Sequence, residues 1–72
     1  MINDNDALKK FGKRLKELRK AEKKTQKDMA LFLNCTPSNF QKMEYGQVNV
    51  PITTLIALAD YFGVTTDYLL DR

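Results

Sequence analysis

Seventy-two residues with 43% hydrophobic content and a formal net charge of +3 suit one compact domain near the lower limit of what a single core stabilises unaided, and exclude a second. Cys35 is the sole cysteine, which rules out an internal disulfide and a thiolate zinc cluster, so packing must supply stability and a reducing cytoplasm is the expected compartment. No apolar run approaches the roughly 20 positions of a membrane helix, and Met1-Ile2-Asn3-Asp4 lacks the charged-then-apolar pattern of a signal peptide.

The first helix is predicted from about Asp6 to Ala21 or Glu22. Leu8, Phe11, Leu15 and Leu18 recur at spacings of three and four, with Lys and Arg on the remaining face. Asp4, Asn5 and Asp6 are cap candidates that also place negative charge at the positive end of the helix dipole. Glu22-Lys23-Lys24 breaks the apolar period, and Thr25 opens a second helix as N-cap, with Asp28 three residues on to complete a capping box. Met29, Ala30 and Leu33 face inward, and Asn34 is the turn residue, tolerant of the left-handed conformation.

Thr36-Pro37 is the strongest helix start in the chain, because proline at the first helical position loses no intrahelical hydrogen bond and has φ already set. A third helix runs from Pro37 to about Tyr45, with Phe40 and Met43 inward and Gly46 in the positive-φ position that closes it. After Gln47-Val48-Asn49-Val50, Pro51 starts a fourth helix. Its broad apolar face of Ile52, Leu55, Ile56, Leu58, Ala59 and Phe62 makes it the expected core helix. Gly63 ends it, Thr65 caps a last short turn, and Tyr68, Leu69 and Leu70 cover one end of the bundle. With no strand-period segment, repeat or low-complexity linker, the fold class is all-α, a single domain over 1–72.

Charge is unevenly spread. Ten of the twelve Lys and Arg residues lie between Lys9 and Lys27, where Glu17 and Glu22 are the only acids, whereas Glu44, Asp60, Asp67 and Asp71 face one base from Glu44 onward. A polyanion would be drawn to the basic half with an affinity that falls as salt rises; a solvated Lys-rich helix that keeps a small protein soluble explains the same run. Thr25 to Gly46 reads as two short helices joined by a tight turn, the second presenting small polar residues in its first turn. That is the geometry of a helix that enters the major groove and touches base edges.

These residues resemble the phage-repressor helix-turn-helix family, also called lambda-repressor-like or XRE. The likeness lies in Phe11-Gly12-x-x-Leu15-x-x-Leu18-Arg19, Thr25-Gln26-x-x-Met29-Ala30 and Phe40-x-x-Met43-Glu44-x-Gly46, continuing through Leu55-x-x-Leu58-Ala59-x-x-Phe62-Gly63-Val64-Thr65 and Asp67-Tyr68-Leu69-Leu70. The resemblance implies five helices, with the second and third forming the DNA-reading unit over 25–46. It implies that Gln26 and Thr36 contact the DNA backbone, with Thr25 beside them, and that Ser38, Asn39 and Lys42 touch base edges, with Gln41 at the margin. Asparagine both donates to and accepts from adenine, and lysine donates to guanine or a phosphate. Pro37 stands where relatives often place a long base-reading side chain, leaving only apolar contact, and Asn34 replaces the commoner turn glycine.

The same likeness gives Arg19 and Glu44 as a structural pair between the first and third helices, costly to break on one side. Cys35 is expected to be a buried thiol filling the turn. The three tyrosines and four phenylalanines are expected mostly inward, as core and not as stacking platforms. Leu31 and Phe32 lie beside the inward residues of the second helix, where one extends the core and the other marks a protein contact. Relatives often pair through the last helix, here Thr66, Tyr68 and Leu70, into a two-fold dimer, and in longer relatives a linker to a further domain follows this point.

No histidine, glycine-rich phosphate loop, nucleophile elbow or metal-ligand spacing occurs, so neither catalysis nor a cofactor is expected. The expected function is sequence-specific binding of double-stranded DNA by a dimeric transcriptional regulator, a repressor on a palindromic operator. The competing expectation is a protein-interaction module of the same fold, an antitoxin or adaptor that uses Leu31, Phe32 or the last helix.

Overall fold

The computed structural model describes residues 4–72, with side-chain environments from Asp6 onward. Five helices follow one another: α1 (Asp4–Ala21), α2 (Gln26–Leu33), α3 (Pro37–Glu44), α4 (Ile52–Phe62) and α5 (Thr66–Leu69), with no strand among the described residues. Because α1 already runs from Asp4, Asp4, Asn5 and Asp6, expected as cap candidates ahead of a helix starting near Asp6, lie within its first turn and do not stand before it as a cap.

Three threonines start three helices. The hydroxyls of Thr25, Thr36 and Thr65 accept from the N–H groups of Asp28, Asn39 and Tyr68 at 3.0, 3.1 and 3.0 Å. Each such cap stabilises by about 1 kcal/mol. Asp28 returns a bond to the Thr25 N–H at 2.9 Å, completing the capping box.

Every helix closes in the same way. Lys23, Asn34, Gly46, Gly63 and Asp71 have φ of 57°, 57°, 71°, 67° and 60°. The N–H after each donates to the carbonyl five residues back, Lys24 to Arg19, Cys35 to Ala30, Gln47 to Lys42, Val64 to Ala59 and Arg72 to Asp67, at 2.9–3.0 Å. This left-handed closure satisfies carbonyls that a helix end would otherwise leave bare.

The core comprises Phe11, Leu15, Met29, Ala30, Phe40, Met43, Leu58, Ala59 and Leu69. It is drawn from all five helices, and α4 is not its principal donor. Only Leu58 and Ala59 of α4 are buried. Ile52 and Ile56, expected inward, are 73% and 48% exposed, because apolar residues cover more of this helix's circumference than one packed face accommodates. Val48 and Val50, from the loop before it, pack against the core instead.

The aromatic expectation also fails for four of seven residues. Phe11 and Phe40 are buried and Phe62 half-buried, but Phe32, Tyr45, Tyr61 and Tyr68 are exposed. Cys35 is half-buried against the core, not enclosed.

Candidate nucleic-acid interface

The pose of α3 is set from α1. A β-carbon on Gly12 would lie 2.7 Å from both the carbonyl carbon of Glu44 and the carbonyl oxygen of Met43, and one on Gly46 would lie 2.8 Å from the amide nitrogen of Lys9. Backbone meets backbone at both points, which only glycine permits. Phe40 and Met43 seat α3 in the core, and α2 packs along it across the Asn34-Cys35-Thr36 turn.

With Phe40, Met43 and Glu44 inward, the opposite side of α3 is free. Pro37, Ser38, Asn39 and Lys42 are exposed. Ser38 and Lys42, four apart, stand one above the other, and Asn39 and Gln41 flank that line. Gln41 is half-buried and its Nε2 lies 3.4 Å from the Tyr45 hydroxyl, which draws it toward the helix end. The first turn of α3 carries no acid and its last turn carries Lys42, so this exposed face holds no negative charge that would repel a polyanion.

Thr25 and Thr36 serve as caps, yet a hydroxyl that accepts an N–H keeps its own hydrogen to donate. Both are exposed. Around the start of α2, Lys23, Lys24 and Lys27 are exposed as well. The Thr25 N–H hydrogen bond, then the Thr25 hydroxyl, and beyond them Lys24 and Lys27, hold the Asp28 carboxyl below its ordinary pKa.

Behind the exposed face of α3, Arg19 Nε donates to Glu44 Oε2 at 2.6 Å and Arg19 Nη2 to Glu44 Oε1 at 3.3 Å. The Arg19 and Glu44 side chains are 11% and 0% exposed. Arg19 Nη1 also donates to the Lys24 carbonyl at 2.9 Å, so one guanidinium joins the ends of α1 and α3 to the turn before α2. Gln26, for which the family resemblance implied a backbone contact with DNA, is half-buried, and its Nε2 donates to Glu44 Oε1 at 3.0 Å.

Sequence reading passed over a second clasp. Arg14 Nη2 reaches Asp71 Oδ1 at 2.5 Å, and the guanidinium carbon sits 4.5 Å above the Tyr68 ring. The Arg14 hydrogen bond, followed by its charge, pulls the Asp71 carboxyl below its ordinary pKa, and the bond to Asp71 raises that of Arg14. The clasp joins α1 to α5, whose Tyr68 is exposed while Thr66 and Leu70 are half-buried. With the partners 57 positions apart, only their opposite charges hinted at it. Gly12, inside an otherwise regular helix, was a clearer signal of close approach.

Leu31 and Phe32 both stay outside the core, contrary to the expectation that one would extend it. Leu31 is 73% exposed. Phe32 instead meets Tyr61 of α4 with centroids 4.6 Å apart, and Tyr61 meets Phe62 edge-on at 4.9 Å. Among the described residues no group of His, Cys, Asp or Glu is arranged to hold a metal ion, and no helix is long and apolar enough to cross a membrane.

A helix-turn-helix family model matches residues 15–69. The chain is 40% identical over 60 residues to the SPbeta prophage-derived uncharacterized HTH-type transcriptional regulator YonR of Bacillus subtilis (strain 168), covering 83% of this chain and 56% of that protein. It is 39% identical over 62 residues to the HTH-type transcriptional regulator ImmR of the same organism, covering 86% of this chain and 49% of that one. The chain thus spans about half the length of these two regulators. The crystal structure of the restriction-modification controller protein C.AhdI from Aeromonas hydrophila superposes with a TM-score of 0.76 at 34% identity, over 86% of this chain and 94% of that one. Two capped helices around a left-handed turn, an outward polar face on the second, and these likenesses lead to one assignment: the chain belongs to the helix-turn-helix family of the XRE, phage-repressor type.

Proposed function

We propose that this chain is a single DNA-binding domain that reads a specific double-stranded sequence and regulates transcription as a repressor, working as a homodimer on a palindromic operator. The observation that carries the reading is the exposed line of Ser38 and Lys42 with Asn39 beside it, on a helix whose other side is fixed by Phe40, Met43 and Glu44. In this reading Ser38, Asn39 and Lys42 touch base edges, Pro37 offers apolar contact, Gln41 assists, and Gln26, Thr25 and Thr36 hold the backbone. One such module buries only about 600–1,000 Å² on DNA, so selective control calls for two copies, with recognition helices in successive major grooves about 34 Å apart. Tyr68, with Thr66 and Leu70, is the proposed dimer contact, and a cytoplasmic location follows from the target.

Selecting bound sequences from a random duplex pool tests this directly. A symmetric consensus is the expected result. Asn39→Ala should relax preference at one base pair by roughly 1–3 kcal/mol, and Lys42→Ala should weaken binding. An unselective pool, with both variants silent, would refute the assignment.

The exposure of Leu31 beside the Phe32–Tyr61 stack favours one other reading, a protein-interaction module such as an antitoxin or adaptor. Leu31→Lys should then abolish partner binding while leaving any affinity for DNA untouched.

A further inference from the structure

Glu44 ends α3 with a carboxylate enclosed by protein, and donors from two other helices converge on it. Arg19 occupies Oε2 at 2.6 Å and reaches Oε1 at 3.3 Å, and Gln26 Nε2 occupies Oε1 at 3.0 Å. An ionised carboxylate only accepts hydrogen bonds, whereas an amide donates through nitrogen alone. The orientation of the Gln26 amide, usually a matter of inference, is therefore forced: nitrogen toward Glu44, oxygen away from it.

That nitrogen carries two hydrogens and Glu44 takes one. Gln26 is the first residue of α2 and only half-buried, and Lys23, Lys24 and Lys27 around it are exposed. We propose that Glu44 is a positioning residue for DNA binding, holding the Gln26 amide so that its second Nε2 hydrogen meets one phosphate of the target duplex. The inference rests on the DNA-reading function proposed above. Because Glu44 is also the last residue of α3, the carboxylate that aims the phosphate contact belongs to the helix that carries Ser38, Asn39 and Lys42. Grip on the backbone and register on the bases are thereby set by one group. Arg19, bonded to both Glu44 and the Lys24 carbonyl, keeps the turn before α2 in step.

The test uses the duplex recovered by selection, made as a set in which single phosphates are replaced by neutral methylphosphonate. One replacement should weaken the unaltered protein roughly ten- to hundred-fold, the size expected of a hydrogen bond to a charged group, and should leave Gln26→Met unaffected. Gln26→Met keeps the length of the side chain, so its base preference should be unchanged. Glu44→Gln should lose sensitivity to the same phosphate, with no further loss when combined with Gln26→Met. A purely structural Glu44 would instead weaken every duplex equally and leave the phosphate sensitivity in place.

If Glu44→Gln does not fold, the Gln26 side-chain amide of the unaltered protein supplies the answer by NMR. One Nε2 proton should be shifted and protected in the free protein, and only the other should move on adding duplex, an effect that the methylphosphonate removes. Selective binding with Gln26 unmoved would overturn this inference alone. An absence of selective binding would overturn the DNA-reading function and this inference with it.

Discussion

Gly12 of α1 lies against the carbonyl of Glu44 at the end of α3, so near that the smallest side chain would sit 2.7 Å from its carbon. The angle of α3 is therefore fixed by an absence of atoms on α1. Gly12→Ala should destabilise the fold by about 1–3 kcal/mol, the usual cost of overpacking, as measured by urea denaturation. The crossing of the two helices should also change, seen as amide shifts clustered on Met43, Glu44 and Lys9.

Removing Arg19 alone should be the most damaging single change. Glu44 is fully enclosed, and stranding a buried charge costs about 3–5 kcal/mol, a large share of the roughly 5–15 kcal/mol that holds small domains folded. Arg19→Met combined with Glu44→Leu should cost less than Arg19→Met alone. Equilibrium unfolding of the two variants decides the point.

Acid should loosen the start of α2 and the clasp between α1 and α5. Thr25 depresses the pKa of Asp28 and Arg14 depresses that of Asp71. Each carboxylate therefore adds stability that is fully present above the ordinary value near about 4 and is lost as pH falls through the lowered folded-state value. Asp28→Asn and Asp71→Asn should each flatten the acid limb of the stability curve and leave its slope near neutrality unchanged. A pH series of thermal melts tests this.

Lys23 holds φ at 57° without being glycine. An L-residue in that region costs about 1–2 kcal/mol, partly offset in glycine by the greater freedom of the unfolded chain. Lys23→Gly should raise stability by about 0.5–1 kcal/mol. Asn34→Gly should gain less, because asparagine already tolerates this conformation. Thermal melts of the two variants side by side would show the difference.

What could be read from the sequence was what is encoded within about six residues. Thr25 with Asp28, Thr36 with Pro37, and Asn34, Gly46 and Gly63 announce their roles through neighbours alone, and the structure places each cap and turn there. Lys23 and Asp71 close helices in the same manner but carry side chains that give no such signal. In α4, Ile52 and Ile56 were indistinguishable from Leu58 by period, since an apolar majority does not say which side has a partner. The bond from Gln26 to Glu44, 18 residues apart, depends on how three helices meet, which no local pattern specifies.

Helix ends closed within six residues bear on how fast active molecules appear. Each reversal of the chain is set locally, so little loop entropy opposes assembly, and the remaining step is to dock preformed helices on one another. Helical domains of low contact order fold in roughly microseconds to milliseconds, whereas synthesis proceeds at about 5–20 residues per second. For this chain the delay before folded molecules appear would lie in its production, with folding adding nothing that the cell would register.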